Sequence, residues 1–332
     1  MITIKRKNTH SIAQTHYETV MNGNPGKNQW KLSKHLENLR GSYHDGDYEV
    51  EFIDVLLEDI EMEKDDHESS IITCSPKTLE TKYLEYNQKF SHLKGDEDFL
   101  KKLGKSFFYD KYDRWNAYQL ADQLQVNVCP YCNRQFTFTV GTDLNKITRP
   151  QYDHFINKAK APYFSLSFYN LIPSCSTCNS GLKGDTFLSL TKYIHPYVDD
   201  TADDVLFSLD TKDIGFLNGK ASSYSITVGK SIISTASDEQ VDKTFETYKM
   251  FKVIEIYQKH KDYVDEVIKK SRIYNDANIK LIYNQYKGTL FNDFHEAKRM
   301  LYSNYLLSEE LEKRPLAKLT RDIVAYIESL KE

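Results

Sequence analysis

The sequence predicts an α+β fold, mostly helical, with one small folded module in the middle of the chain held by four cysteines. Three observations predict it. Apolar residues recur at helical spacing through most of the first 125 residues and again beyond residue 238. A period-two pattern is confined to residues 205–235, between those regions. Two Cys-x2-Cys pairs, Cys129/Cys132 and Cys175/Cys178, enclose 42 residues, so a folded insert must lie between them.

The elements follow in order along the 332 residues. The opening is a short β-prone stretch with a basic triplet, Lys5-Arg6-Lys7. A polar turn at 22–26 leads into a helical pattern, Trp30, Leu32, Leu36 and Leu39. Residues 41–70 are acidic, and Phe52, Ile53, Leu56, Leu57 and Ile60 within them recur at helical spacing. Residues 77–125 read as two or more helices. The second of these carries Phe107, Phe108, Tyr112, Trp115, Tyr118 and Leu120, aromatics that could stack on bases but whose spacing is that of a core face. Residues 205–235 read as a small sheet or hairpin, with Ser223-Tyr-Ser-Ile-Thr-Val alternating before Gly229. From Asp238 onward the pattern is helical again. Its last helix is expected to begin at Pro315, a favourable first position, and to run through Leu319, Ile323, Ile327 and Leu330. Three regions result: 1–125, 126–197 and 198–332. They are expected to pack as one unit, because the roughly 30 to 40 residues outside each helical run are too few for separate cores.

Charged residues make up 28% and hydrophobic residues 40%, the balance of a globular chain. No apolar run reaches the roughly 18 residues of a membrane span. The start, Met1-Ile-Thr-Ile-Lys-Arg-Lys, has basic residues without an apolar stretch after them, so a signal peptide is not expected and a cytoplasmic location is. In a reducing compartment, paired cysteines suggest a metal site rather than disulfides. Four soft ligands are what a tetrahedral structural zinc requires. Cys74, the fifth cysteine, reads as a small buried hydrophobe.

Net charge is −4, which argues against a nucleic-acid partner until it is divided. Between Cys129 and His195 seven basic residues face three acidic ones. Charges beyond a Debye length of about 10 Å are screened, so this local excess matters more than the total.

Within the insert the chain reads Tyr152-Asp153-His154-Phe155, then Asn170-Leu171-Ile172-Pro173-Ser174-Cys175, then Cys178-Asn179 and Lys183-Gly184-Asp185. Asp-His, a downstream Asn-Leu and a Cys-x2-Cys-Asn ending resemble, element by element, the HNH (ββα-metal) endonuclease family. The resemblance implies a strand bearing Asp-His, a second strand reached through a loop, and a helix starting near Cys175 or Cys178. It implies His154 as general base, a neutral imidazole being able to take a proton from water near neutral pH. It implies Asp153 and the Asn179 amide oxygen as ligands of one divalent ion, and Asn170 as the residue that holds the loop and the base in place. Asn179 stands where many members have His, which favours an oxygen-preferring Mg2+ or Mn2+. Lys183 reads either as a phosphate contact or as a solvated helix residue, with Arg134 and Lys158 as weaker contact candidates. His195 reads as a structural histidine before a proline, or as a group reaching the site.

The wording around the motif is narrower still. Cys129-Pro-Tyr-Cys-Asn133, Tyr152-Asp-His-Phe155, Ser165-Leu-Ser-Phe-Tyr-Asn-Leu-Ile-Pro-Ser-Cys175 and His195-Pro-Tyr197 are similar to the PtuB-type HNH subunits of Septu and retron-associated anti-phage systems. That resemblance, over roughly residues 105–200, implies a nucleic-acid substrate with DNA favoured, a defence role, and an ABC/SMC-like (PtuA-type) ATPase partner. Two readings from other classes stay open: a catalytically silent zinc-stapled nucleic-acid-binding module, and a scaffold subunit of an ATPase complex.

Overall fold

The computed structural model describes residues 1–4, 8–23, 31–63, 66–142, 144–211, 215 and 224–330. The triplet Lys5-Arg6-Lys7, Trp30, residues 24–26 of the expected turn and Ser223 lie outside the described residues. The fold is mixed α and β, about half helical. Its sheets among the described residues are three separate antiparallel pairs. No helix among the described residues is long and apolar enough to cross a membrane.

The chain divides into two compact units. The N-terminal unit holds Ile4–Val126 and Thr137–Val198; the C-terminal unit holds Met1–Thr3, Asn127–Phe136 and Asp199–Glu332.

The N-terminal unit contains helices α1 (Thr9–Asn22), α2 (Leu32–Arg40), α3 (Tyr48–Ile60), α4 (Pro76–Lys89), α5 (Glu97–Ser106) and α6 (Ala117–Leu124). It also contains strands β1 (Val140–Gly141), β2 (Lys146–Thr148), β3 (Gln151–His154) and β4 (Leu171–Ser174). Local signals set several boundaries. The Ser75 hydroxyl accepts from Thr78 N at the start of α4, with Pro76 at its first position, and Asp96 accepts from Phe99 N at the start of α5. Helix α3 buries Phe52, Ile53, Leu56 and Ile60, as its spacing predicts. The Phe52 ring packs against Tyr86, Phe90 and Tyr163 with centroids 4.7–5.4 Å apart.

The expected second helix of residues 77–125 is mostly not one. Helix α5 ends at Ser106, and α6 does not begin until Ala117. Phe108 and Asn116 take positive φ angles of 41° and 53°, which a continuous helix cannot accommodate. Phe107, Phe108 and Trp115 are nonetheless buried, so their helical spacing records a core face made by turns. Cys74 is buried, and burial pushes its thiol up to about 12.

The C-terminal unit is built on the hairpin β5 (Val205–Thr211) and β6 (Tyr224–Lys230), with Gly229 opposite Leu206. Around it run α7 (Asp238–Met250), α8 (Val253–Tyr257), α9 (Lys261–Ile273), α10 (Asp276–Tyr286), α11 (Phe294–Tyr302) and α12 (Ala317–Ser329). A capping box between Ser237 and Gln240 starts α7. Helix α12 begins two residues later than Pro315 suggested. Leu316 is left-handed (φ 62°) and donates its N–H to Asn133 O at 2.6 Å, so the helix cannot start before it. Inside this unit the Lys318 ammonium is fully buried and reaches Ala202 O, Val205 O and Asp322 at 2.7–2.8 Å.

The first Cys-x2-Cys turn belongs to this unit rather than to the 126–197 region, and its hydrogen bonds say why. Asn133 sits at φ 46°, donates Nδ2 to Leu311 O (2.9 Å) and accepts at Oδ1 from Lys318 N (3.0 Å). Tyr257 donates to Cys132 O at 2.6 Å, and Tyr131 stacks on Phe251 at 4.1 Å. Asn133→Ala removes two buried hydrogen bonds and places Cβ chemistry less tolerant than Asn at a left-handed position. It is expected to lower stability by about 2–4 kcal/mol in urea unfolding. A change below about 0.5 kcal/mol, the size of an ordinary surface substitution, would show that Asn133 does not anchor the turn.

Candidate functional site

Strands β3 and β4 pair antiparallel, with Asp153 opposite Ile172 and His154 opposite Leu171. The loop between them is closed from inside by Asn170. Its Oδ1 accepts from Ile156 N (2.7 Å), and its Nδ2 donates to Ile156 O (3.1 Å) and Phe164 O (2.9 Å). A buried loop must find partners for its backbone groups, and one carboxamide here supplies three.

The next carbonyls of the same strap hold two imidazoles. Ser165 O faces His154 Nε2 at 3.0 Å, and Leu166 O faces His16 Nε2 at 2.7 Å. A carbonyl can only accept, so both rings carry their proton on Nε2 and leave Nδ1 as the basic nitrogen. Burial lowers the His154 pKa to about 3; the Ser165 contact opposes that shift, and the charges of Lys158 and Lys183 add to it. The ring is therefore neutral throughout the neutral range. Tyr109 meets it edge-on at 4.5 Å.

After β4 the chain enters a wide, π-type helical turn, Thr177–Lys183, in which Gly184 N donates to Asn179 O at 2.9 Å. The turn carries Asn179, whose Nδ2 donates to Gln151 Oε1 at 3.0 Å, leaving its amide oxygen as the acceptor end. Ser180 shares the same Gln151 oxygen. Gln151 and Asp153, two apart on β3, lie on one face of the strand.

These residues line a cleft of about 370 Å3 together with Tyr109, Tyr112, Arg149, Asn157, Lys158, Lys183 and Asp185. The fold thus brings Asp153, His154, Asn179, Lys183 and Lys158 to one place. Asn170 lies behind them in the loop, and Arg134 and His195 are not among the lining residues.

Lys183 fits neither expectation. It is 3% exposed, with Nζ 2.7 Å from His154 O and 2.9 Å from Asp153 Oδ1. The first contact is a directed hydrogen bond. The second is an ion pair whose angles are poor for one. Asp153 is itself only 1% exposed. Lys158 is the opposite case: its side chain is 46% exposed, 3.5 Å from Asp110 and 4.4 Å above the Tyr109 ring. Arg134 belongs to the C-terminal unit, where its charge acts on Tyr257 and His260. His195 is fully buried against Phe155 at 4.4 Å and accepts from Tyr197 N at 3.3 Å, which makes it structural.

Sequence reading did not single out Arg149, Gln151, Tyr109 or His16. Arg149 is clamped by Tyr112, Tyr118 and Tyr152, with its guanidinium carbon 4.4–5.8 Å from their ring centres. Its place four residues before Asp153 in the basic segment is a signal that could have found it. Gln151 could have been found from strand alternation with Asp153. Tyr109 and His16 leave no such trace, because turns and a remote helix bring them in.

The Sγ atoms of Cys129, Cys132, Cys175 and Cys178 all lie within 4.8 Å of one another, and all four residues are buried. Four thiolates around a zinc at about 2.3 Å would stand about 3.8 Å apart, so this set can hold a metal ion such as zinc.

No family model matches the chain, and no solved structure matches it. Over 102 residues it is 33% identical to protein Ea31 of Escherichia phage lambda. That match spans 30% of this chain and 30% of the phage protein.

Three buried histidines of the N-terminal unit bear on acid stability. Burial lowers His16 to about 4, and His154 and His195 to about 3. Their unfolded forms take up protons below about 6.5 while the folded forms do not. The stability they confer is thus full above about 6.5 and is lost as pH falls toward 3–4. With three protons at stake, the slope in urea unfolding is expected to approach about 4 kcal/mol per pH unit near pH 5. A flat profile between pH 7 and 5 would mean that the folded chain already protonates these rings.

Proposed function

We propose that this chain is a metal-dependent endonuclease of the HNH type, hydrolysing phosphodiester bonds in nucleic acid, with DNA the favoured substrate. The observation that carries the reading is the state of His154. It is a neutral imidazole whose Nε2 is committed to Ser165 O, and it sits beside Asp153 and Asn179 in an open cleft. Hydrolysis needs a base for the attacking water, compensation for charge at the phosphorus, and a fixed substrate. His154 Nδ1 takes the proton. With a pKa of about 3 it holds that proton weakly, and the negative phosphate bound in the cleft raises its basicity. Arg149 and Lys158, both packed on tyrosine rings at the cleft, orient the anionic backbone.

Oxygen donors fit a hard divalent ion: the Asp153 carboxylate and the Asn179 amide oxygen would hold Mg2+ or Mn2+, with Asp185 at the cleft as a further carboxylate. Such an ion, when bound, supplies charge stabilisation to the phosphoryl oxygens and the leaving oxygen. The four cysteines would hold a structural zinc. By sequence resemblance, the biological setting we propose is anti-phage defence alongside an ABC/SMC-like ATPase. One observation favours a second reading, a catalytically silent nucleic-acid-binding or scaffold subunit: the Asp153 carboxylate already carries the Lys183 ammonium.

Two experiments test the proposal. Protein purified without chelator is expected to contain one zinc per chain, lost together with thermal stability in Cys175→Ser. Asp153→Ala and Asn179→Ala should keep that zinc and weaken only the response to Mg2+ or Mn2+. Zinc loss in either would mean the two sites share ligands.

His154→Ala is expected to lose cleavage by about 10²–10⁴-fold, the worth of a positioned base. Folding, zinc content and nucleic-acid binding should stay near those of the wild type. Undiminished cleavage by this variant would exclude His154 as the base. Binding without cleavage by the wild type on DNA, RNA and tRNA with either metal would select the silent reading.

A further inference from the structure

Of the cations that line the cleft, Lys183 is the buried one. Its ammonium lies 2.9 Å from Asp153 Oδ1 and 2.7 Å from His154 O, and both charged side chains are nearly inaccessible. A buried cation stays with its partners, because leaving either one orphans a charge or a polar group in low dielectric. The negative charge of Asp153 is therefore already balanced before any ligand arrives.

The rest of the cleft does not restore an anionic site. Arg149, Lys158 and Lys183 stand against Asp153 and Asp185. The lining carries one net positive charge; its other oxygen-bearing side chains are neutral, the amides of Gln151, Asn157 and Asn179 among them. A hard divalent ion is held by oxygens that include at least one or two uncompensated anionic ones, and it meets net repulsion here. A phosphodiester meets net attraction. It also brings the missing negative charge and two non-bridging oxygens that can face the ion.

We infer that Lys183 makes the cleft a coupled site, which holds a divalent ion only together with a bound phosphodiester. The inference rests on the nuclease reading and adds an order to it: the nucleic acid enters the metal-free cleft, and the ion is recruited by the phosphate. Coupling of this kind is reciprocal, so each ligand strengthens the other by the same factor. Lys183 acts here as a positioning residue, through the charge it places on Asp153.

Calorimetric titration with manganese chloride alone tests this on the zinc-containing chain. Wild type is expected to bind manganese weakly, and Lys183→Met at least about tenfold more tightly, because the carboxylate is freed of its counter-charge. In the His154→Ala background, a short oligonucleotide of the type the wild type cleaves should tighten manganese binding. Manganese should tighten the oligonucleotide by the same factor. With Lys183→Met added, that mutual factor should shrink. Equal manganese affinity in wild type and Lys183→Met would overturn the inference, as would a manganese affinity indifferent to the oligonucleotide. Should Lys183→Met fail to fold, the mutual factor measured without it decides. The manganese-only comparison needs no nucleic acid, so it reports on Lys183 even if no substrate is cleaved and the nuclease reading itself falls.

Discussion

The Ser165 carbonyl that receives His154 Nε2 is the contact on which the site depends, and it is a backbone group of a loop. Loops hold position only when their polar groups are satisfied internally. Here the strap 164–166 is fixed carbonyl by carbonyl: Phe164 O by Asn170, Ser165 O by His154, Leu166 O by His16. Asn170 also closes on both polar groups of Ile156. The two ends of the loop are thus tied at one side chain. Without that tie the Ser165 carbonyl has no fixed place, and neither the orientation nor the tautomer of the imidazole is set. The requirement runs from one amide side chain to a backbone path, then to a proton position.

Charge in this chain is organised locally. An acidic total coexists with a cleft whose lining is net positive, because the cations lie within one strand, one loop and one turn of each other. Two of them are held by aromatic rings: Arg149 among three tyrosines and Lys158 above Tyr109. Rings hold a guanidinium or ammonium in place without neutralising it, and the Asp110 carboxylate 3.5 Å from Lys158 is itself exposed to water, so both charges stay available to an anion. Lys183 is held by oxygens instead, and its charge is spent on Asp153. Three cations of one cleft therefore do two different things, and burial decides which.

Much of the site was legible because it is written in short stretches. Asp153, His154 and Asn179 were identified by motif position, and the fold brings them to one cleft. The partners that set their chemistry are remote in sequence: Ser165 for the tautomer, Gln151 for the amide, His16 for the strap. Lys183 shows the limit most clearly. Nothing in Lys-Gly-Asp tells whether an ammonium at the end of a helical turn points to water or under the neighbouring strand. Fold-level misreadings have a similar origin. The aromatics of 107–118 repeat at helical intervals, yet Phe108 and Asn116 adopt left-handed backbone that spacing does not reveal. Pro315 is an apt helix start, but the backbone of Leu316 is claimed by Asn133, nearly two hundred residues away along the chain. The same Asn133 draws the turn of Cys129 and Cys132 into the C-terminal unit.

The two donor sets differ in softness, and that difference orders their influence on each other. Four buried thiols suit a soft or borderline ion; a carboxylate and an amide oxygen suit a hard one, so the sets need not compete for the same metal. They are nevertheless joined through the chain, since Cys178 and Asn179 are consecutive and Cys175 O accepts from Asn179 N at 3.0 Å. An ion bound by Cys175 and Cys178 fixes the first turn of the helical segment, and with it the side of the cleft on which the Asn179 amide stands. Influence in the other direction is weak. The Asn179 side chain is half-buried and donates to Gln151, so its replacement leaves the cysteine turn its own backbone bonds. A structural ion contributes folding free energy of about 10 kcal/mol or more, far beyond the 1–2 kcal/mol of one amide hydrogen bond. Were both sets to hold the ions proposed above, the cysteine set would fix the place of Asn179 far more than Asn179 could disturb the cysteines, an asymmetry that follows from these magnitudes.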